Sequence, residues 1–110
     1  MNNSREKSNI LAQLDDVMVD RLNSSPDKSY VSSLYEKGNN YMSGKVLEEA
    51  NELIEAIKSK NAKHIIHEAA DLWFHSLVAL SFNKVTSKDI LNELSRRFGV
   101  SGLDEKKVRK

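Results

Sequence analysis

The sequence predicts an all-α fold, with antiparallel helices forming a four-helix-bundle-like core. Three observations lead there. Apolar residues recur at three- and four-residue intervals, and the two-residue alternation of a half-buried strand is absent. Cap residues and glycines divide those runs at helix-like lengths. The links between the longest runs are a few residues at most, which makes successive helices antiparallel neighbours.

The first run, over 8–22, places Ile10, Leu11, Leu14, Val17, Met18 and Leu22 at helical spacing, with Ser8 positioned as its cap. Residues 23–28 hold the only proline, Pro26, and read as a turn. Ser29 caps a short helix over 30–37, and Gly38 ends it, since a helix stop favours a residue free to adopt positive φ. A longer helix runs over about 41–58, with Met42, Val46, Ala50, Leu53, Ile54 and Ile57 as its core-facing stripe. Residues 59–61 form a tight connection in which Asn61 caps the next helix, over about 62–82. That helix is apolar nearly all round (Ile65, Ile66, Leu72, Trp73, Phe74, Leu77, Val78, Leu80) and is therefore expected to be buried. Trp73 and Phe74 read as core or interface packing. After a turn over 83–87, Ser87 opens a last helix whose Ile90, Leu91, Leu94 and Phe98 face inward until Gly99 stops it. From about 101 the chain is a basic tail, expected to be mobile.

Length and charge narrow the function. The 110 residues make one domain, 1–110, and a net charge of +1 gives no reason to expect a nucleic-acid or membrane partner. The absence of cysteine excludes a disulfide framework and a thiolate metal site. The first seven residues are polar and lack an apolar signal region, and the apolar run 77–80 is far too short to span a bilayer. The chain therefore reads as soluble and cytoplasmic. A domain this small has little surface with which to cover so apolar a helix as 62–82, which favours an oligomer.

The chemistry lies in Glu48, Glu49 and Glu52, answered by Glu68 and Asp71. On the first of the two long helices, Glu49 lies at the edge of the apolar stripe and Glu52 just beyond it on the same side, while Glu48 and Glu55 point outward. Lys45, one turn before Glu49, is expected close to the inward pair. On the second, His64, Glu68, Asp71 and His75 share one narrow sector of an otherwise apolar helix. Unpaired charges in a buried sector cost several kcal/mol each, of order, so they need a partner. Carboxylates without cysteine favour a hard cation such as Mg2+, which keeps waters and takes its remaining ligands from substrate phosphates. Such an ion neutralises phosphoryl charge and activates water, and a surplus carboxylate can serve as base. Lys37, Lys45, Arg96, Arg97, Lys106, Lys107 and Arg109 are the cations available to phosphate oxygens. A Glu-Glu-x-x-Glu on a helix is more often a solvated face, and His75 more often a satisfied core histidine, here given a supporting role near Asp71 or Glu68. His64 and His67, near a helix start, are expected to be partly exposed. What raises the metal reading is the pairing of two acidic motifs across a short antiparallel connection.

Glu48-Glu49-x-x-Glu52 followed by Glu68-x-x-Asp71 resembles the metal signature of the all-α nucleoside triphosphate pyrophosphohydrolase (MazG-like) superfamily. The Ser29-Tyr30 segment, Lys45-Val46, the run from Glu68 to His75, Glu93-Leu94-x-Arg96-Arg97 and the Ser101-Gly102-Leu103-Asp104-Glu105-Lys106 tail resemble the phosphoribosyl-ATP pyrophosphohydrolase family of histidine biosynthesis. The likeness covers about 14–109. It implies hydrolysis of phosphoribosyl-ATP, a nucleotide, to phosphoribosyl-AMP and pyrophosphate, with metal-activated water attacking between the α and β positions. It implies Mg2+ and a homodimer. It makes Glu49, Glu52, Glu68 and Asp71 metal ligands, Glu48 a further ligand or, with Glu49, a catalytic carboxylate that orients the water, and Lys45, Lys106 and Arg109 contacts to substrate phosphates. The stretch Asn39-Asn40-Tyr41-Met42-Ser43-Gly44 departs from that family's lysine-rich pattern, as do Leu47 and Asn51. Two alternatives stand beside this: a house-cleaning nucleoside triphosphate pyrophosphohydrolase, and a non-catalytic helical dimerisation module.

Overall fold

A computed structural model describes residues 9–99. The suggested Ser8 cap and the basic tail, with Lys106, Lys107 and Arg109, lie outside them. The described residues form α1 (Ile10–Leu22), a 3-10 turn (Pro26–Lys28), α2 (Tyr30–Lys37), α3 (Asn39–Ser59), α4 (Ala62–Phe82) and α5 (Ser87–Phe98), with no strand among them.

The local signals account for most helix ends. The Ser29 side chain accepts from the Ser32 N–H at the start of α2, and the Asn61 side chain accepts from the His64 N–H at the start of α4. Gly38 has φ +88°, which ends α2 and leads directly into α3, so α3 begins two residues earlier than periodicity suggests. The last helix opens at Ser87 as expected, and its cap is Thr86. Thr86 and Asp89 exchange side-chain and backbone hydrogen bonds in a capping box. Ser87 is buried, and its hydroxyl donates to Asp15 at 2.7 Å while its N–H donates to the same carboxylate at 2.9 Å. That carboxylate ties α1 to the positive end of α5.

The organising unit is the α3–α4 hairpin, the most extensive packing in the molecule. Paired side-chain hydrogen bonds between Asn39 and Asn83 join the start of α3 to the end of α4, so the two helices are antiparallel. One core lies at that end: Met18, Val31, Leu34, Tyr35, Met42 and Val78, with Phe74, Leu77, Ala79 and Phe82 packed against it. The Tyr35 hydroxyl donates to the Met18 carbonyl and shares a hydrogen bond with Ser81, so the polar groups within this core are satisfied.

The seam between α3 and α4 changes character along its length. On α3 the buried positions are Met42, Glu49 and Ala56, seven residues apart and hence on one face. On α4 they are Glu68, His75, Val78 and Ser81. Three expectations are overturned here. Ile54 and Ile57 do not belong to the core stripe; both are about half exposed, and the small Ala56 takes the inward position where the helices approach closely. Nor is α4 buried all round: Ile66 is 67% and Trp73 62% exposed, while Glu68, His75 and Ser81 are enclosed beside Val78. The same holds for α5, where Ile90, Leu91, Leu94 and Phe98, expected to face inward, are all exposed. The apolar face of each helix exists as periodicity implies, but among the described residues no further layer covers it.

Candidate functional site

Where the seam turns polar, the two acidic motifs meet. Glu49 is 7% and Glu68 9% exposed, and the Oε1 atom of each is buried without any hydrogen-bond partner. Leaving a buried carboxylate oxygen unpaired is costly, so two of them on neighbouring helices make this the candidate place for a positive charge. Glu48, Glu49 and Glu52 can bring one oxygen each to within 4.8 Å of one another, and Glu68 and Asp71 form a second such group with His67. Glu52 bridges the groups. It is exposed, and its carboxyl is held above the usual carboxylate range, first by the charge of Glu49, then by desolvation, then by the charge of Glu68 and a hydrogen bond to it.

That shift has a consequence for stability. With the folded-state pKa raised, the contribution of protonated Glu52 is full below its ordinary value of 4.5 and is lost as pH rises through the folded value. In the presence of a chelator, the melting temperature of Glu52→Gln minus that of the natural chain is expected to grow as pH rises from below 4.5. Thermal melts of both proteins across that range check it; a constant difference would show that Glu52 is isolated.

The remaining residues singled out from the sequence fall as follows. Glu48 faces solvent as expected, and Lys45 reaches it rather than the inward pair, with Nζ 3.4 Å from both carboxylate oxygens. Lys45 also lies in the field of the Tyr30 hydroxyl. Glu55 points outward to Lys58. Lys37 lies over the Tyr41 ring at 4.5 Å. Arg96 and Arg97 both bind Glu93, whose carboxyl they hold down to about 2, so both have a carboxylate partner on their own helix.

His75 is a buried, satisfied histidine. Its Nδ1 meets the Asp71 carbonyl oxygen at 2.9 Å and its Nε2 the Tyr30 hydroxyl at 2.9 Å. A carbonyl only accepts, so Nδ1 donates; in the singly protonated ring Nε2 then accepts from Tyr30. Burial keeps the Tyr30 phenol above its ordinary pKa, hence protonated and able to donate. The Tyr30 ring packs on Phe74 and against the edge of His75, so α2 is braced on the turn of α4 that carries Asp71. Tyr30 was not singled out as a site residue by periodicity or spacing, and its partner lies 45 positions away. His64 Nε2 lies 3.5 Å from Glu68 Oε2, whereas the Asp71 carboxylate is met at 3.4 Å by His67, to which the sequence assigned no part. The one available signal was its four-residue spacing from Asp71.

Residues 11–98 match the family model described as phosphoribosyl-ATP pyrophosphohydrolase. The chain is 52% identical over 97 residues to the phosphoribosyl-ATP pyrophosphatase of Vesicomyosocius okutanii, an alignment covering 88% of this chain and 92% of that one. It is 50% identical over 101 residues to the protein of that name from Azoarcus sp. (strain BH72), covering 92% and 94%. To the one from Neisseria meningitidis serogroup C it is 41% identical over 100 residues, covering 91% and 94%.

Proposed function

The chain belongs to the phosphoribosyl-ATP pyrophosphohydrolase family, and from that premise we propose that it hydrolyses phosphoribosyl-ATP to phosphoribosyl-AMP and pyrophosphate in histidine biosynthesis. The observation that carries the mechanism is the pair of buried, unpartnered carboxylate oxygens on facing helices, Glu49 Oε1 and Glu68 Oε1. With Glu52 and Asp71 they make an all-oxygen donor set that fits Mg2+. Bound there, the ion would supply neutralisation of phosphoryl charge and activation of water.

The chain's own groups do the rest. Glu48 lies beside Glu49 and is oriented by Lys45, so it is the exposed carboxylate that can take a proton from the attacking water; Glu49 is the other. Water attacks between the α and β positions, the anhydride bond joining them breaks, and pyrophosphate leaves. The ammonium of Lys45 meets phosphate charge at the edge of the cluster, with Lys106 and Arg109 of the tail as further contacts. His75 supports the site by holding the Asp71 turn against Tyr30. The uncovered apolar faces of α4 and α5 favour a homodimer, and the function calls for a cytoplasmic protein.

The test is pyrophosphate release. Phosphoribosyl-ATP with Mg2+ is expected to be turned over far faster than any member of a panel of nucleoside triphosphates, and the gene is expected to rescue a histidine auxotroph. Preferential release from a nucleoside triphosphate would instead assign a house-cleaning role. No release from any substrate, with melting indifferent to Mg2+, would leave a dimerisation module.

A further inference from the structure

We propose that Tyr30, Tyr41 and Lys37 form the subsite for the far half of the substrate: the two phenol rings take the purine base, and the Lys37 ammonium meets the phosphate of the ribosyl group attached to that base. The identity of the ligand rests on the proposed function. Tyr41, Lys45, Glu48 and Glu52 follow one another at four, three and four residues, so they share one face of α3. Along that face the chemistry changes in order, from aromatic ring to ammonium to carboxylates. Tyr41 stands eight residues before Glu49, which the helical rise makes about 12 Å, comparable to the length of a nucleoside monophosphate.

The rings are open to a ligand and held in place. Tyr30 is 52% and Tyr41 43% exposed. Phe74 backs the Tyr30 ring, with centroids 6.4 Å and planes 14° apart, and His75 fixes its hydroxyl. Both phenols lie in the electrostatic field of Lys45 and of each other, which places them beside the ammonium assigned to the triphosphate. Lys37 Nζ lies 4.5 Å from the centre of the Tyr41 ring. Lys45, Lys58, Arg96 and Arg97 each meet a carboxylate, whereas among the described residues none pairs with Lys37. The order on the protein is therefore carboxylates, ammonium, rings, ammonium. Phosphoribosyl-ATP has the matching order: triphosphate, ribose, adenine, ribosyl phosphate. A nucleoside triphosphate lacks the last group, so contact with Lys37 discriminates between the two, while stacking on the rings serves both.

The experiment titrates the full-length protein with phosphoribosyl-AMP and with AMP, neither of which holds the anhydride bond, and measures pyrophosphate release from phosphoribosyl-ATP in parallel. The natural chain is expected to bind phosphoribosyl-AMP about tenfold or more tightly than AMP. Lys37→Ala, at an exposed position, should lose that advantage and leave AMP binding as it was. Lys37→Arg should keep most of it, which a merely structural role at the α2–α3 corner does not predict. Tyr41→Ala should weaken both ligands by roughly tenfold, and Tyr41→Phe neither. In turnover, Lys37→Ala is expected to raise KM for phosphoribosyl-ATP rather than lower kcat. Equal affinity of the natural chain for the two ligands would overturn the proposal, as would an advantage that survives Lys37→Ala. So would unchanged binding of both ligands by Tyr41→Ala. If the natural chain releases no pyrophosphate from phosphoribosyl-ATP, the proposed function falls, and the titrations still decide the subsite.

Discussion

Glu49→Gln is expected to abolish turnover while raising the melting temperature of the metal-free protein. The two effects share one cause. Glu49 is enclosed in the α3–α4 seam, one of its oxygens has no partner, and its charged neighbours Glu48 and Glu52 carry the same sign. Confining an uncompensated charge there costs several kcal/mol, of order, which the fold bears. Glutamine keeps the shape and removes the charge, leaving the smaller cost of a buried amide. A net gain of ~1 kcal/mol would raise the melting temperature by ~4–8 °C in a domain of this size. Without that oxygen donor, Mg2+-dependent pyrophosphate release should fall by about a hundredfold or more. Mg2+ should raise the melting temperature of the natural chain, as any ligand of the folded state does, and should leave the variant almost unmoved. Calorimetry with chelator or Mg2+, together with the hydrolysis assay, measures all three. A variant that melts lower without metal and turns over normally would mean that Glu49 is merely a structural residue.

Trp73→Glu is expected to split a homodimer into monomers. Trp73 stands on the most apolar helix, largely exposed, where α1, α4 and α5 leave an apolar groove of about 410 Å³. Leu72, Leu77, Leu91 and Leu94 line that groove with it, and on its other side it borders Ile10, Leu14 and Phe74. An indole contributes ~150–250 Å² of contact, and tryptophans at the centre of an interface commonly cost ~2 kcal/mol or more on truncation. That alone weakens association by roughly thirtyfold, and placing a carboxylate in the groove adds its desolvation. Light scattering over a dilution series should find the natural chain at twice the mass of one protomer and the variant at the mass of one. An unmodified chain that is monomeric throughout the series would remove the dimer from the account.

How much of this was legible beforehand differs by level. Ser29, Gly38 and Asn61 act where their chemistry says they should, because a cap needs only its own few neighbours. The division of Glu49 from Glu48 was also legible, since a helix turns by a known angle per residue and the apolar stripe supplies the reference direction. Lys45 was misplaced because a long, flexible side chain has both carboxylates within reach, and rotamer rather than spacing selects Glu48. The opening of α5 at Ser87 was legible, whereas the burial of Ser87 was not, because it depends on Asp15, 72 positions away in the chain.

The sequence by itself determined the helices, their antiparallel hairpin and the sharing of a face among the carboxylates, all of which follow from backbone periodicity and short connections. Only the tertiary structure decided which face of α4 turns inward. Hydropathy alone would bury Ile66 and Trp73 along with Val78, yet Glu68 and His75 are enclosed in their place. Their positions are set by Tyr30 bonding to His75, and by the approach of α3 at Glu49 and Ala56. A face is a property of one helix, whereas burial depends on what a second helix brings against it.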